Sequence, residues 1–137
     1  MKESLLRAFL HHLDPDGRVT ILRSSQDDGL RQLFSIFGAR GMTDMEPDGK
    51  IFVQIDDLGG ATKAVWLEEL AHARQYMIYG SPKASSDMTE ICEREIEAHE
   101  CLLKNASKLK LTPQEIASCE EQLRHYKEKK NAQRWRR

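Results

Sequence analysis

The sequence predicts an α+β domain with a small N-terminal β-sheet, accompanying helices and a helical C-terminal half. Three observations carry this. Ile51-Phe52-Val53-Gln54-Ile55 is a β-rich run set behind a Pro47-Asp48-Gly49 turn. Apolar residues recur at helical spacing on both sides of it. Two capping-box signatures, Asp87 with Glu90 and Thr112 with Glu115, open polar helices beyond it.

The elements follow in order. Leu5, Leu6, Phe9, Leu10 and Leu13 have helical spacing, and Asp14-Pro15-Asp16-Gly17 stops that helix with turn chemistry. Val19 to Leu22 is a short strand candidate. Leu30, Leu33, Phe34 and Phe37 mark a second helix with Gly38 as its C-terminal stop. Met42 to Met45 is a possible hairpin partner for the strand Ile51 to Ile55. After Gly59-Gly60 a helix is expected from near Thr62 to Tyr79, ended by Gly80 with Pro82 beyond. The Asp87 box opens a long helix to about Leu109, and the Thr112 box opens a last helix over about 113–130, followed by a basic tail, 131–137.

At 137 residues the chain is the length of one domain, 1–137, able to bury a core without disulfides. The net charge of -1 nominates neither nucleic acid nor membrane as a partner. Charge is unevenly placed: acidic residues dominate from Asp87 to Glu100, while Lys127, Lys129, Lys130, Arg134, Arg136 and Arg137 form a basic end. Cys92, Cys101 and Cys119 contain no C-x-x-C pair, and Cys92 and Cys101 lie roughly 13 Å apart along one expected helix, beyond bridging distance. Reduced thiols and a cytoplasmic working compartment, in the producing or a target cell, follow. No stretch reads as a signal peptide or a membrane span, so a secreted form would travel within a larger toxin or through a secretion system.

The chemistry concentrates in Trp66-Leu67-Glu68-Glu69-Leu70-Ala71-His72-Ala73-Arg74-Gln75 and Glu95-Ile96-Glu97-Ala98-His99. Glu68 and Glu69 stand four and three residues before His72, so a helix can turn these side chains toward one ion. The inward stripe of that helix is expected to be Ala64, Leu67, Leu70, Ala71 and Ile78, with Val65, Glu68, Glu69, His72, Gln75 and Tyr76 beside it. On the next helix Ile91, Glu95, Ala98, Leu102 and Ala106 share a face. Glu95 in an apolar row is costly without a partner. The plain structural alternative is a polar link from Glu95 to His72 or Arg74. Glu93, Glu97 and Glu100 fall on the solvated side.

These two segments resemble the zincin-type metallopeptidase domains of bacterial toxin systems, where H-E-L-x-H-x-x-Q precedes E-x-E-A-D or E-x-E-A-Q on a later helix. They are similar to the small C-terminal domains of Rhs-type polymorphic toxins, in which Glu-Glu-Leu-x-His-Ala-x-Gln precedes Glu-Ile-Glu-Ala-Gln. The similarity spans about Ile51 to Lys127, including Leu102-Leu103-Lys104-Asn105, Leu111-Thr112 and Tyr126-Lys127, within a zincin-like core over about 18–110. The resemblance implies a metal-dependent peptidase acting as a toxin or effector on a protein or peptide substrate, with a cognate immunity protein as a possible partner. It implies Glu69 as general base and Glu68, His72 and Glu95 as ligands of a divalent metal such as zinc. Glu68 stands where the family has His, which weakens the preference for zinc over harder ions. His99, where the family has Asp or Gln, is either an alternative ligand or a partner of Glu95, and Gln75 is likewise either an alternative ligand or a support for the ligands.

Other chemistries fit less well. A di-iron carboxylate bundle needs a second E-x-x-H that the C-terminal helices lack. The cysteines sit in helical patterns as core filler, His11-His12 reads as exposed helix surface, and no phosphate-cradling glycine loop is present. The rival class is non-enzymatic: an inactive zincin-like or helical protein-binding module whose acidic groove and basic tail dock a partner.

Overall fold

The computed structural model describes residues 1–83 and 88–135, and its contacts divide the chain into two compact units, Met1–Gly80 and Ser81–Arg137. The architecture is α+β, with one three-stranded sheet and a helical C-terminal half.

In the first unit, helix α1 (Glu3–Leu13) ends at Asp14, whose carboxylate accepts from the N–H groups of Arg18 and Val19, each at 2.7 Å. That clamp launches strand β1 (Val19–Arg23). Helix α2 (Asp28–Phe37) begins where Asp27 accepts from Leu30 N at 3.0 Å and stops at Gly38, whose φ of 71° suits glycine. Strands β2 (Gly41–Met45) and β3 (Ile51–Ile55) form the expected hairpin around Pro47-Asp48-Gly49.

The sheet order is β1-β3-β2, with β1 parallel and β2 antiparallel to the central β3. Ile51, Val53 and Ile55 point to one face and are fully buried. Register places Val19 and Ile21 of β1, and Gly41, Thr43 and Met45 of β2, beside them on that face. Leu6 of α1 and Trp66, Leu70 and Ala73 of helix α3 (Lys63–Tyr79) complete the core. Each buried leucine, isoleucine or valine of this core contributes about 1.5–3 kcal/mol. Thr62 caps α3 by accepting from Val65 N, and Gly80 ends it.

The buried side of α3 differs from the expected stripe. Leu67 and Leu70 are inside, but Ile78 is 57% exposed, and Trp66, Glu69, Ala73 and Gln75 are buried. Apolar residues lie around the whole of α3, so its packing on β2 and β3 decides which of them are inside.

In the second unit, helix α4 (Thr89–Lys104) packs against helix α5 (Pro113–Trp135). Asp87 of the first capping box lies outside the described residues. Glu90 of that box accepts from Lys83 N at 2.9 Å and pairs with Arg94 at 3.2 Å. The helix stops at Lys104 instead of near Leu109. Asn105 turns its side-chain amide back to Cys101 O at 2.8 Å, Lys110 adopts a left-handed φ of 55°, and buried Leu111 closes onto Ala106 O. The second box forms as expected: Thr112 N donates to Glu115 Oε1 at 3.0 Å and Glu115 N to Thr112 Oγ1 at 3.1 Å.

Helix α5 continues past residue 130 into the basic run, to Trp135. Two of its lysines meet the acidic run of α4, Lys130 with Glu93 at 3.3 Å and Lys127 with Glu100 at 3.6 Å. The buried face of α4 is rotated by one position from expectation: Ile91 is 38% exposed, while Cys92, Arg94 and His99 join Ala98 and Leu102 inside. Packing of α5 explains the rotation, since the Cys119 thiol donates to His99 O and the Tyr126 ring centroid lies 6.0 Å from that of His99. Glu93, Glu97 and Glu100 are exposed, as their place on the wheel requires. All three cysteines are free thiols, and no described helix is long and apolar enough to cross a membrane.

Candidate metal centre

Helical spacing on α3 brings Glu68 and His72 together, with His72 Nε2 3.7 Å from Glu68 Oε1. The His72 side chain is only 12% exposed. Its other nitrogen is fixed: Nδ1 lies 2.9 Å from Oε1 of buried Gln75. A carbonyl oxygen can only accept, so Nδ1 carries a proton, and in the neutral form of the ring the lone pair is on Nε2. That tautomer, with Nε2 facing a carboxylate, is the form in which histidine ligates a metal. Gln75 thus holds the His72 ring through Nδ1.

Glu69 follows Glu68 by about 100° of helix and faces a different neighbour. It is 7% exposed and lies over β2. Thr43 Oγ1 is 2.9 Å from Glu69 Oε1 and 3.1 Å from Glu69 O, so its single proton serves the carboxylate and the helix backbone. Gly41, two residues earlier on the same face of β2, permits the approach: a Cβ there would lie 2.7 Å from Glu69 Cγ and 3.0 Å from Oε2. Sequence reasoning missed both residues. A signal existed, since the hairpin register sets Gly41 and Thr43 opposite Ile55 and Val53 and therefore toward α3.

The second unit holds a parallel pair on α4. His99 is buried and its Nδ1 donates to Glu95 O at 2.6 Å, with Glu95 Oε2 3.8 Å from the same nitrogen. The backbone bond makes Nε2 the unprotonated nitrogen of the neutral ring. Glu95 is half-buried and Arg74 of α3 is exposed.

By donor chemistry, Glu68 and His72 in the first unit and Glu95 in the second are each residues of the kinds that ligate metal ions. One imidazole and two carboxylates form an oxygen-rich set, which accepts manganese or iron as well as zinc. No family model matches the chain, and neither the curated proteins nor the solved structures yield a match.

Proposed function

We propose that the chain is a zincin-like, metal-dependent peptidase. The supporting observation is the arrangement on α3: His72 held by Gln75 in the ligating tautomer, Glu68 one turn before it, and Glu69 buried against β2. Glu68 and His72, with Glu95 of α4, would be the ligands, and zinc or another divalent ion the occupant. Such an ion supplies Lewis-acid polarisation of the scissile carbonyl and lowers the pKa of water. Glu69 takes the proton of the attacking water and returns it to the leaving amine. Its fixed carboxylate needs little reorganisation to do so. The sequence resemblance to Rhs-type toxin domains extends the reading to a toxin or effector with a protein or peptide substrate and a neutralising immunity protein.

The test is elemental analysis of the chelator-free chain together with hydrolysis of fluorescein-labelled casein. The expected result is about one divalent ion per chain, lost in His72→Ala and Glu95→Gln, with Glu69→Gln keeping the metal and losing hydrolysis. Full activity in Glu69→Gln overturns the mechanism.

One observation favours a second reading, an inactive zincin-like or protein-binding module: the Thr43 bond gives Glu69 a structural role as well. In that case, the chain takes up no ion after reconstitution and Glu69→Gln changes only its stability.

A further inference from the structure

We propose that Thr43, seated beside Gly41 on the edge strand β2, is a positioning residue that fixes the Glu69 carboxylate for proton transfer. The inference rests on the peptidase reading and adds to it a group outside both sequence motifs, 26 residues before the residue it serves.

Three observations carry it. Thr43 Oγ1 lies 2.9 Å from Glu69 Oε1, within the ordinary range of an O–H···O hydrogen bond. The same hydroxyl stands 3.1 Å from Glu69 O, so it is registered to the helix backbone and not only to a rotatable side chain. Gly41 leaves room for Glu69 Cγ and Oε2 where any other residue would collide. A glutamate side chain has three rotatable torsions, and hydroxyl and glycine together restrict them on the buried face of the hairpin. A carboxylate held this way avoids the misplacement that costs a general base its efficiency, on the order of 100-fold for about 1 Å.

The experiment uses full-length Thr43→Val, Thr43→Ser and Gly41→Ala chains. Carbon relaxation of selectively labelled glutamate reports the order of the Glu69 side chain in metal-free protein, and casein hydrolysis by the zinc- or manganese-loaded protein reports kcat and KM. Thr43→Val is expected to release the Glu69 side chain and to lower kcat by about 10–100-fold with KM unchanged. Thr43→Ser, which keeps the hydroxyl, restores both to within about threefold of the parent. Gly41→Ala displaces Glu69 and lowers kcat with the hydroxyl intact. Equal Glu69 order in the parent and Thr43→Val overturns the proposal. So does a lowered kcat that serine fails to rescue. If the parent loads metal but hydrolyses nothing, the peptidase reading fails, while the relaxation data still decide whether Thr43 fixes Glu69.

Discussion

Gln75 Oε1 accepts from Nδ1 of His72 at 2.9 Å, almost one turn further along the same helix. Both residues come from one ten-residue segment, so the ligand and the group that selects its tautomer are encoded together. Gln75→Leu removes the acceptor, lets the proton move to Nε2 and should weaken zinc or manganese affinity by about 10–100-fold. Gln75→Glu should retain binding. Calorimetric titration of the apo-protein measures both, and unchanged affinity in Gln75→Leu would reduce Gln75 to packing.

Asp57 predicts an acid-side loss of stability. Burial works to raise its pKa, but the Ser25 hydroxyl and N–H and the Ser24 hydroxyl outweigh it and hold the carboxyl below its ordinary 3.8. The folded state therefore prefers the charged form. Its contribution is complete above the ordinary value and is lost as pH falls from 3.8 through the lower folded value. Urea unfolding should show Asp57→Asn less stable than the parent near about pH 7, with the gap narrowing toward about pH 3.

The three thiols should react unequally. Cys101 is exposed, Cys119 is buried with its thiol on His99 O, and burial pushes the Cys92 thiol up. Thiolate is the reactive form, so a disulfide reagent at neutral pH should label Cys101 quickly and the other two only on unfolding. Fast modification of two or more thiols in the native chain would contradict this burial.

Thr112→Ala should destabilise the second unit. It deletes the hydroxyl that accepts from Glu115 N, a loss of about 1 kcal/mol. Thermal unfolding should shift down by roughly 3–5 °C for a chain of this size. Lys130→Ala removes the ion pair between half-buried Lys130 and exposed Glu93 and should cost less than about 1 kcal/mol, with the difference shrinking in salt.

The sequence alone determined what short-range chemistry controls. Gly38 and Gly80 stop helices, Thr112 and Glu115 cap one another, Pro47-Asp48-Gly49 turns a hairpin, and Glu68 stands one turn before His72. Each depends on residues within about five positions, where spacing and backbone preference act without the rest of the chain. The tertiary structure decided which faces were buried. In α3, apolar residues lie around the whole helix, so periodicity could not show that Glu69 and Gln75 would be inside and Ile78 outside. In α4, packing of α5 on His99 chose Cys92 over Ile91. The Thr43 bond to Glu69 spans 26 residues, and its energy depends on the pairing of β2 with β3 and the packing of α3 on both. Local interactions select the elements, but burial is settled only when elements meet, because the cost of a polar side chain depends on the partners it finds there.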